Sequence, residues 1–366
     1  MSFPKLSIIL TLFLLAVTAP AAPTPHLSIW CEFTPYKEVE ATLPTLARYN
    51  CDLLLHVGRA DIGNADLVAL CRAAQSNNVH IAAWFLLPYD EHLYVGEVTA
   101  DPIRDFSLEF VDWSKKENLG IDWVVFDCEP SPLLGKKLFA SVRHGRVMAL
   151  ARILRDETQP AQFSESVAKL NSLIDELHGR GVKVMGAANR VFLDFMRHKN
   201  TAVQDSFNAP FSMIHWDRTS FITYRYKAPQ VQYVGMVNRY AELAHLYFGR
   251  KAALDIGLLG DQRAFEEHRE RAELFGGGDY FMSYLDGMRS VYDLQEAVGV
   301  SLGRGVTHIN LYSLDGAVDS VAGLDYWLRA ASEAQPLTGL DRWTPFASVK
   351  MGFIGWLLNA LYRASV

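Results

Sequence analysis

Short apolar runs rich in β-branched residues recur along the chain, each followed by an amphipathic stretch, and this alternation constrains the fold more than any other feature. The runs are Leu27 to Trp30, Asp52 to Val57, Val79 to Leu86, Ile121 to Asp127, Val182 to Ala187, Thr219 to Tyr224, Ala252 to Leu258 and Thr307 to Tyr312. Helical patterns lie between them: Val39 to Tyr49, Asp66 to Ser76, Ile103 to Glu117, Ser164 to His178, Val234 to Phe248 and Val291 to Leu302. Several close on Asn or Gly just before the next run, as helix ends do. Strands that are apolar nearly throughout are buried on both faces, so the alternation predicts a parallel sheet covered by helices. Eight repeats predict a closed (β/α)8 TIM-type barrel, a single domain with loop insertions. A doubly wound open sheet is the competing arrangement, but no G-x-G-x-x-G follows the first run. A ninth apolar segment, Tyr280 to Leu285, reads as an excursion in the last large loop.

The chain has 366 residues, 50% hydrophobic and 21% charged, with a net charge of -6. That composition belongs to a globular protein and offers no electrostatic footprint for nucleic acid. Residues 1–21 carry one basic side chain, Lys5, then the apolar run Ile8 to Val17, then Ala19 and Ala21 in an A-x-A arrangement. This is the layout of a signal peptide, so a secreted or periplasmic protein cleaved after Ala21 is expected, with a barrel over residues 22–340. An uncleaved membrane anchor competes with it, although the apolar run is shorter than a bilayer span. The segment 341–366 reads as an apolar tail, too short to span a membrane: a helix docked on the barrel, or a weak membrane association. Cys31, Cys51, Cys71 and Cys128 form no C-x-x-C pair and have no His-rich cluster beside them, so neither a metal nor an organic cofactor is implied. Cys128 is expected to face the helix layer.

In a β/α barrel the chemistry gathers at the C-terminal ends of the strands. Along the eight runs those ends carry Glu32, His56, Trp84, Asp127 with Glu129, Asn189, Tyr224, and Tyr312 with Asp315. Acids, an amide, phenols and an indole suit a carbohydrate pocket better than a phosphate site, which needs Gly-rich turns and Lys or Arg. Tyr89, Tyr94 and Trp216 fall in or near loops on the same side, where flat rings stack on sugar faces or simply pack. The sharpest local signal is G-I-D-W-V-V-F-D-C-E-P, Gly120 to Pro130. Asp127 and Glu129 are two apart on a strand and leave the same face, so one raises the pKa of the other and a proton donor results. Glycosidic cleavage needs such a donor. The plainer alternative is that the two acids cap the loop or bind a cation.

The run D-W-V-V-F-D-C-E resembles the fourth-strand signature D-x-x-D-x-D-x-E of the chitinase-like glycoside hydrolases of family eighteen. Asp122, Asp127 and Glu129 match; Val125 does not. Gly305 to Gly316 (G-V-T-H-I-N-L-Y-S-L-D-G) is similar to the family's last strand, with Tyr312 at the position of its pocket-floor tryptophan. Phe221 to Arg225 (F-I-T-Y-R) resembles the sixth-strand M-x-Y-D, Tyr224 matching and Arg225 replacing the aspartate; S-Y-L-D, with Tyr284 and Asp286, competes for that assignment. The resemblance implies a hydrolase of oligosaccharides or polysaccharides that contain N-acetylated amino sugars, exported if the N-terminal layout is a signal peptide. In it Glu129 is acid and then base, Asp127 orients the acetamido group, and Tyr224 donates to the same centre. Glu32, His56, Trp84, Asn189, Tyr312 and Asp315 would line the substrate. Val125 and Arg225 remove acids that tune the pair. A silent sugar-binding barrel and a two-carboxylate glycosidase using Glu32 with Glu129 are the rival expectations.

Overall fold

The computed structural model describes residues 23–338, except 89–90, 144–145, 197–200, 226, 228, 261–265, 267–269, 271–285 and 289, together with residue 360. Residues 1–21, read above as a signal peptide, all of the apolar tail but residue 360, Tyr89, Tyr284 and the Tyr280 to Leu285 segment lie outside the described residues.

Each of the eight apolar runs forms a strand: β1 (His26–Cys31), β2 (Asp52–Val57), β3 (Ile81–Phe85), β4 (Trp123–Cys128), β5 (Lys183–Asn189), β6 (Arg218–Ile222), β7 (Ala252–Gly257) and β8 (His308–Tyr312). They pair in parallel in chain order, and β8 returns to β1, with Ser28 opposite Asn310 and Trp30 opposite Tyr312. The sheet has no free edge: the fold is a closed (β/α)8 barrel, not an open sheet. The helices are α1 (Tyr36–Arg48), α2 (Ala65–Ser76), α3 (Ala100–Lys116), α4 (Pro132–Arg143), α5 (Val147–Glu157), α6 (Pro160–Gly179), α7 (Val191–Met196), α8 (Ala202–Ser206), α9 (Gln230–Phe248), α10 (Val291–Gly303), α11 (Leu314–Asp319) and α12 (Gly323–Ser332). The predicted stops work as expected. Asn50 (φ 47°), Asn78 (φ 55°) and Asn118 (φ 54°) take the left-handed conformation just past α1, α2 and α3. Helices α4 and α5 are an insertion directly after Glu129.

The period-two alternation of the strands sorts side chains into two cores. On β4, Val124, Phe126 and Cys128 join the large layer between sheet and helices, which places Cys128 against the helices. Val125 faces the barrel axis with Trp30, Trp84, Met185 and Ala187. At roughly 1.5–3 kcal/mol for each large apolar side chain removed from water, the outer layer supplies most of the drive to fold. The inner one is a plug that supports the mouth. Trp216 belongs to the outer layer: it is 2% exposed, its Nε1 donates to the Phe211 carbonyl at 3.0 Å, and it lies against Gly186 of β5. A sugar-stacking role is therefore withdrawn, because its ring fills the gap that Gly186 leaves.

Two glycines test this packing. A Cβ on Gly186 would lie 2.6 Å from the Trp216 indole, and one on Gly257 would lie 2.2 Å from the backbone oxygen of Tyr312. An indole can shift slightly and a strand carbonyl cannot. Gly186→Ala is expected to destabilise by about 1–3 kcal/mol and Gly257→Ala by more, which thermal unfolding followed by circular dichroism would rank. Equal or unchanged melting temperatures would contradict the close approach of β7 to β8.

Candidate active site

The mouth of the barrel is acidic, and β4 supplies its centre. Asp127 is the last inward-facing residue of the strand and Glu129 follows directly, so both side chains reach the same space. Asp127 is 8% exposed, and its Oδ1 has no hydrogen-bond partner among the described residues. Burial, and then the negative charges of Glu129, Asp255 and Glu32, hold the Asp127 carboxyl well above the usual carboxylate range. Glu129 is half-buried, and burial pushes it up to about 7. The Asn189 side chain at the end of β5 hydrogen-bonds to it, and the Arg190 charge lies close by; both favour its ionised form and offset part of that rise. The two acids lie close enough that the charge of one raises the pKa of the other, so they titrate as a pair.

Glu32 approaches from the other side. Tyr312, at the end of β8, donates its hydroxyl to Glu32 Oε2, and burial pushes Glu32 up to about 8. The segment carrying Glu32 is held by Asp315, whose Oδ1 accepts from the Phe33 amide at 2.9 Å, the Thr34 amide at 2.7 Å and the Thr34 hydroxyl at 2.7 Å. Its Oδ2 accepts from the Glu32 amide at 3.1 Å. Asp315 is thus 1% exposed and clamps the β1 loop, so its oxygens face backbone rather than the lumen. Tyr224, two residues past β6, stacks on Tyr312 with ring centroids 4.6 Å apart. Burial raises its hydroxyl well above the ordinary phenol range, helped by the charges of Asp255, Asp127, Glu129 and Glu32, so it is a hydrogen-bond donor. Trp84 packs edge-on against Trp30 at 4.8 Å and lies 5.8 Å from the His56 ring. His56 Nδ1 lies 3.2 Å from the Glu32 carbonyl, and burial lowers its pKa, which keeps it neutral. Tyr94 is partly buried against the inner core.

The two departures from the family pattern differ in consequence. Val125 is fully buried beneath Asp127, so no acid of β4 underlies the pair. Arg225 does not face the mouth at all. It is 1% exposed, its Nη1 donates to Asp293 Oδ2 at 2.6 Å and Gln230 Oε1 at 2.9 Å, and Asp286 Oδ2 lies 3.8 Å from its Nε. Its charge is spent tying the β6 loop to α10 and does not reach Glu129. Sequence reasoning missed Asp255 of β7, which sits fully buried inside the barrel. A lone acid in the middle of A-A-L-D-I-G was the available signal.

All four cysteines are buried free thiols, and among the described residues no group of three or more His, Cys, Asp or Glu could hold a metal ion. No described helix is long and apolar enough to cross a membrane.

No family model matches the chain, and no curated protein does. Among solved structures, the spore cortex-lytic enzyme SleL of Bacillus megaterium superposes with a TM-score of 0.51 at 14% identity, over 88% of this chain and 76% of its own. The PgaB glycoside hydrolase domain of Bordetella bronchiseptica gives 0.49 at 8% identity, over 87% and 100%. The GH18 chitinase ChiB of Flavobacterium johnsoniae gives 0.46 at 10% identity, over 85% and 94%. The likeness to SleL is one of fold. Function has to be argued from the side chains at the mouth.

Those side chains predict an unusual dependence of stability on pH. Glu32, Glu129 and Asp255 keep their protons in the fold up to about 8, 7 and 6, whereas the unfolded chain releases them near pH 4. The folded state then binds more protons, so the stability they contribute is full below about pH 4 and is lost as pH rises through 6 to 8. The melting temperature is expected to be lower at pH 8.5 than at pH 5.5, and Glu32→Gln should flatten that fall. A melting temperature that rises over this range would contradict the burial of these acids.

Proposed function

We propose that the protein is a glycoside hydrolase acting on an oligosaccharide or polysaccharide of N-acetylated amino sugars, with Glu129 as acid and then base and the substrate's acetamido group as nucleophile. The observation that carries this reading is the acid pair at the end of β4: Glu129, raised to about 7, is a proton donor at neutral pH, and the buried Asp127 lies beside it.

In the first step Glu129 gives its proton to the glycosidic oxygen while the acetamido oxygen attacks the anomeric carbon and the leaving sugar departs. The acetamido nitrogen becomes positive as Glu129 gives up its proton, and the Asp127 proton passes to the vacated Glu129 carboxylate, so that the charge left on Asp127 stabilises the nitrogen; the proton returns to Asp127 as the intermediate opens. The Tyr224 hydroxyl donates to the acetamido oxygen and holds it in line for attack. Glu129, now a carboxylate, takes a proton from water, which attacks the anomeric carbon and opens the cyclic intermediate. Trp84, His56, Asn189 and Tyr312 shape the walls. The support comes from these side chains rather than from the shared fold, since one barrel hosts many chemistries.

Glu32 sustains a second reading, a glycosidase with two protein carboxylates, because its carboxyl faces the same mouth. Its rise to about 8 argues against it as the nucleophile, which must be ionised. The proposal also includes export, with residues 1–21 removed; N-terminal sequencing of the secreted protein should begin at Ala22.

Turnover of a panel of glycans tests the reading. Glu129→Gln should lower kcat by about 10²–10⁴, and Asp127→Asn by about 10²–10³ with much less effect on binding. The wild-type kcat/KM should fall as pH rises through about 7, because the acid must be protonated. Substrates without the acetamido group should not be cleaved. Equal rates on a plain glucoside, or Glu32→Gln as damaging as Glu129→Gln, would favour the two-carboxylate reading. Sugar binding without cleavage would make the protein a lectin.

A further inference from the structure

Asp255 lies midway along β7, deep inside the barrel and fully buried. Three donors from three other strands converge on one of its oxygens. Trp30 Nε1 of β1 reaches Oδ1 at 3.1 Å, Ser220 Oγ of β6 at 2.6 Å, and Asn310 Nδ2 of β8 at 2.8 Å. The register holds this arrangement, because Asn310 stands directly opposite Asp255 in the ladder. The second oxygen, Oδ2, has no hydrogen-bond partner among the described residues, and neither has Asp127 Oδ1. A carboxyl so placed is costly to bury, yet none of these three contacts needs an acid rather than an amide to satisfy it. What the acid adds is charge.

We propose that Asp255 is a positioning residue for the proton at the mouth: its locked, buried carboxylate keeps protons on Asp127 and Glu129. The inference rests on reading Glu129 as the acid, and it explains how the pair is tuned although β4 has Val125 where an acid would underlie it. Three donors on one oxygen favour the ionised form. Asp255 is accordingly raised only to about 6, against about 7 for Glu129 and about 8 for Glu32, so it is charged while Glu129 still holds its proton. Around Glu129, the groups that draw the proton off are the Asn189 side chain and the Arg190 charge, both at the end of β5. Those that keep it on are burial and the negative charge of Asp255 from β7, with Asp127 of β4 as its coupled partner. Glu32 of β1 bears on Asp127, and the Tyr224 hydroxyl past β6 stays protonated under all of these charges. Tyr312 of β8 is engaged with Glu32. Asp255 is the negative charge inside the barrel that bears on Glu129, and a neutral residue there would tip Glu129 toward the carboxylate.

The test follows Glu129 itself, by the carboxyl 13C shift of side-chain-labelled glutamate across a pH titration, assigned with Glu129→Gln. Asp255→Asn keeps the shape and removes the charge, so the Glu129 midpoint should drop by about one pH unit, roughly tenfold in proton concentration. Ser220→Ala strips one donor from Asp255, keeps it neutral to higher pH, and should move the midpoint the same way by less. If Asp255→Asn does not fold, Ser220→Ala decides. An unmoved or raised midpoint in the folded variants would reduce Asp255 to a packing hub and overturn the proposal. The readout needs no turnover, so a lowered midpoint in a protein that cleaves no glycan would uphold the coupling and refute the hydrolase reading. Cleavage with an unmoved midpoint would do the reverse.

Discussion

Closure of the sheet is the constraint on which everything at the mouth depends. The ladder between β8 and β1, with Trp30 opposite Tyr312, brings the two ends of the fold together and lets the Tyr312 hydroxyl meet the Glu32 carboxyl 280 residues away. The same closure lets Trp30 of the first strand reach Asp255 of the seventh, where Asn310 of the neighbouring β8 already meets it. Clamping by Asp315 from α11 makes the junction rigid, since four donors of the β1 loop end on its two oxygens. An open sheet of the same strands, lacking the β8–β1 ladder, would not bring Tyr312 to Glu32 or Trp30 to Asp255.

Closure also forces acids into a small, poorly solvated volume. Separately, Glu32, Asp127, Glu129 and Asp255 would each ionise near pH 4; together, burial raises Asp255 to about 6, Glu129 to about 7 and Glu32 to about 8, and burial with the charges of its neighbours holds Asp127 above the usual carboxylate range. The fold gives up stability at neutral and alkaline pH to keep them there, and the large apolar layer outside the strands offsets that cost. Acids that weaken a fold and are retained in one lumen point to chemistry.

Much of this was legible in the chain. Nearly continuous apolar runs announce strands buried on both faces, and the two-residue spacing of Asp127 and Glu129 places both at one opening whatever the surroundings. Facing direction past a strand end was not legible. Tyr224 and Arg225 are neighbours, yet one turns to the lumen and the other to Asp293 on α10, and only the packing of α10 decides that. Trp216 looked like a loop aromatic because its partner gap, at Gly186, is made by a residue thirty positions earlier in the chain. Asp315 looked like a lining acid because side chains that bind backbone amides leave no signature in the partner's sequence. Asp255 was passed over because it interrupts an apolar strand at mid-length, where a period-two pattern reads it as noise.

A structure with a bound N-acetylglucosamine thiazoline, which imitates the cyclic intermediate of acetamido participation, would examine the arrangement most directly. The sugar should sit against Trp84 and the Tyr224–Tyr312 stack, with the thiazoline nitrogen within hydrogen-bond distance of Asp127 and the anomeric carbon facing Glu129 across room for one water. Binding elsewhere on the barrel, or at the mouth with the ring nitrogen turned away from Asp127, would contradict a mechanism built on that pair.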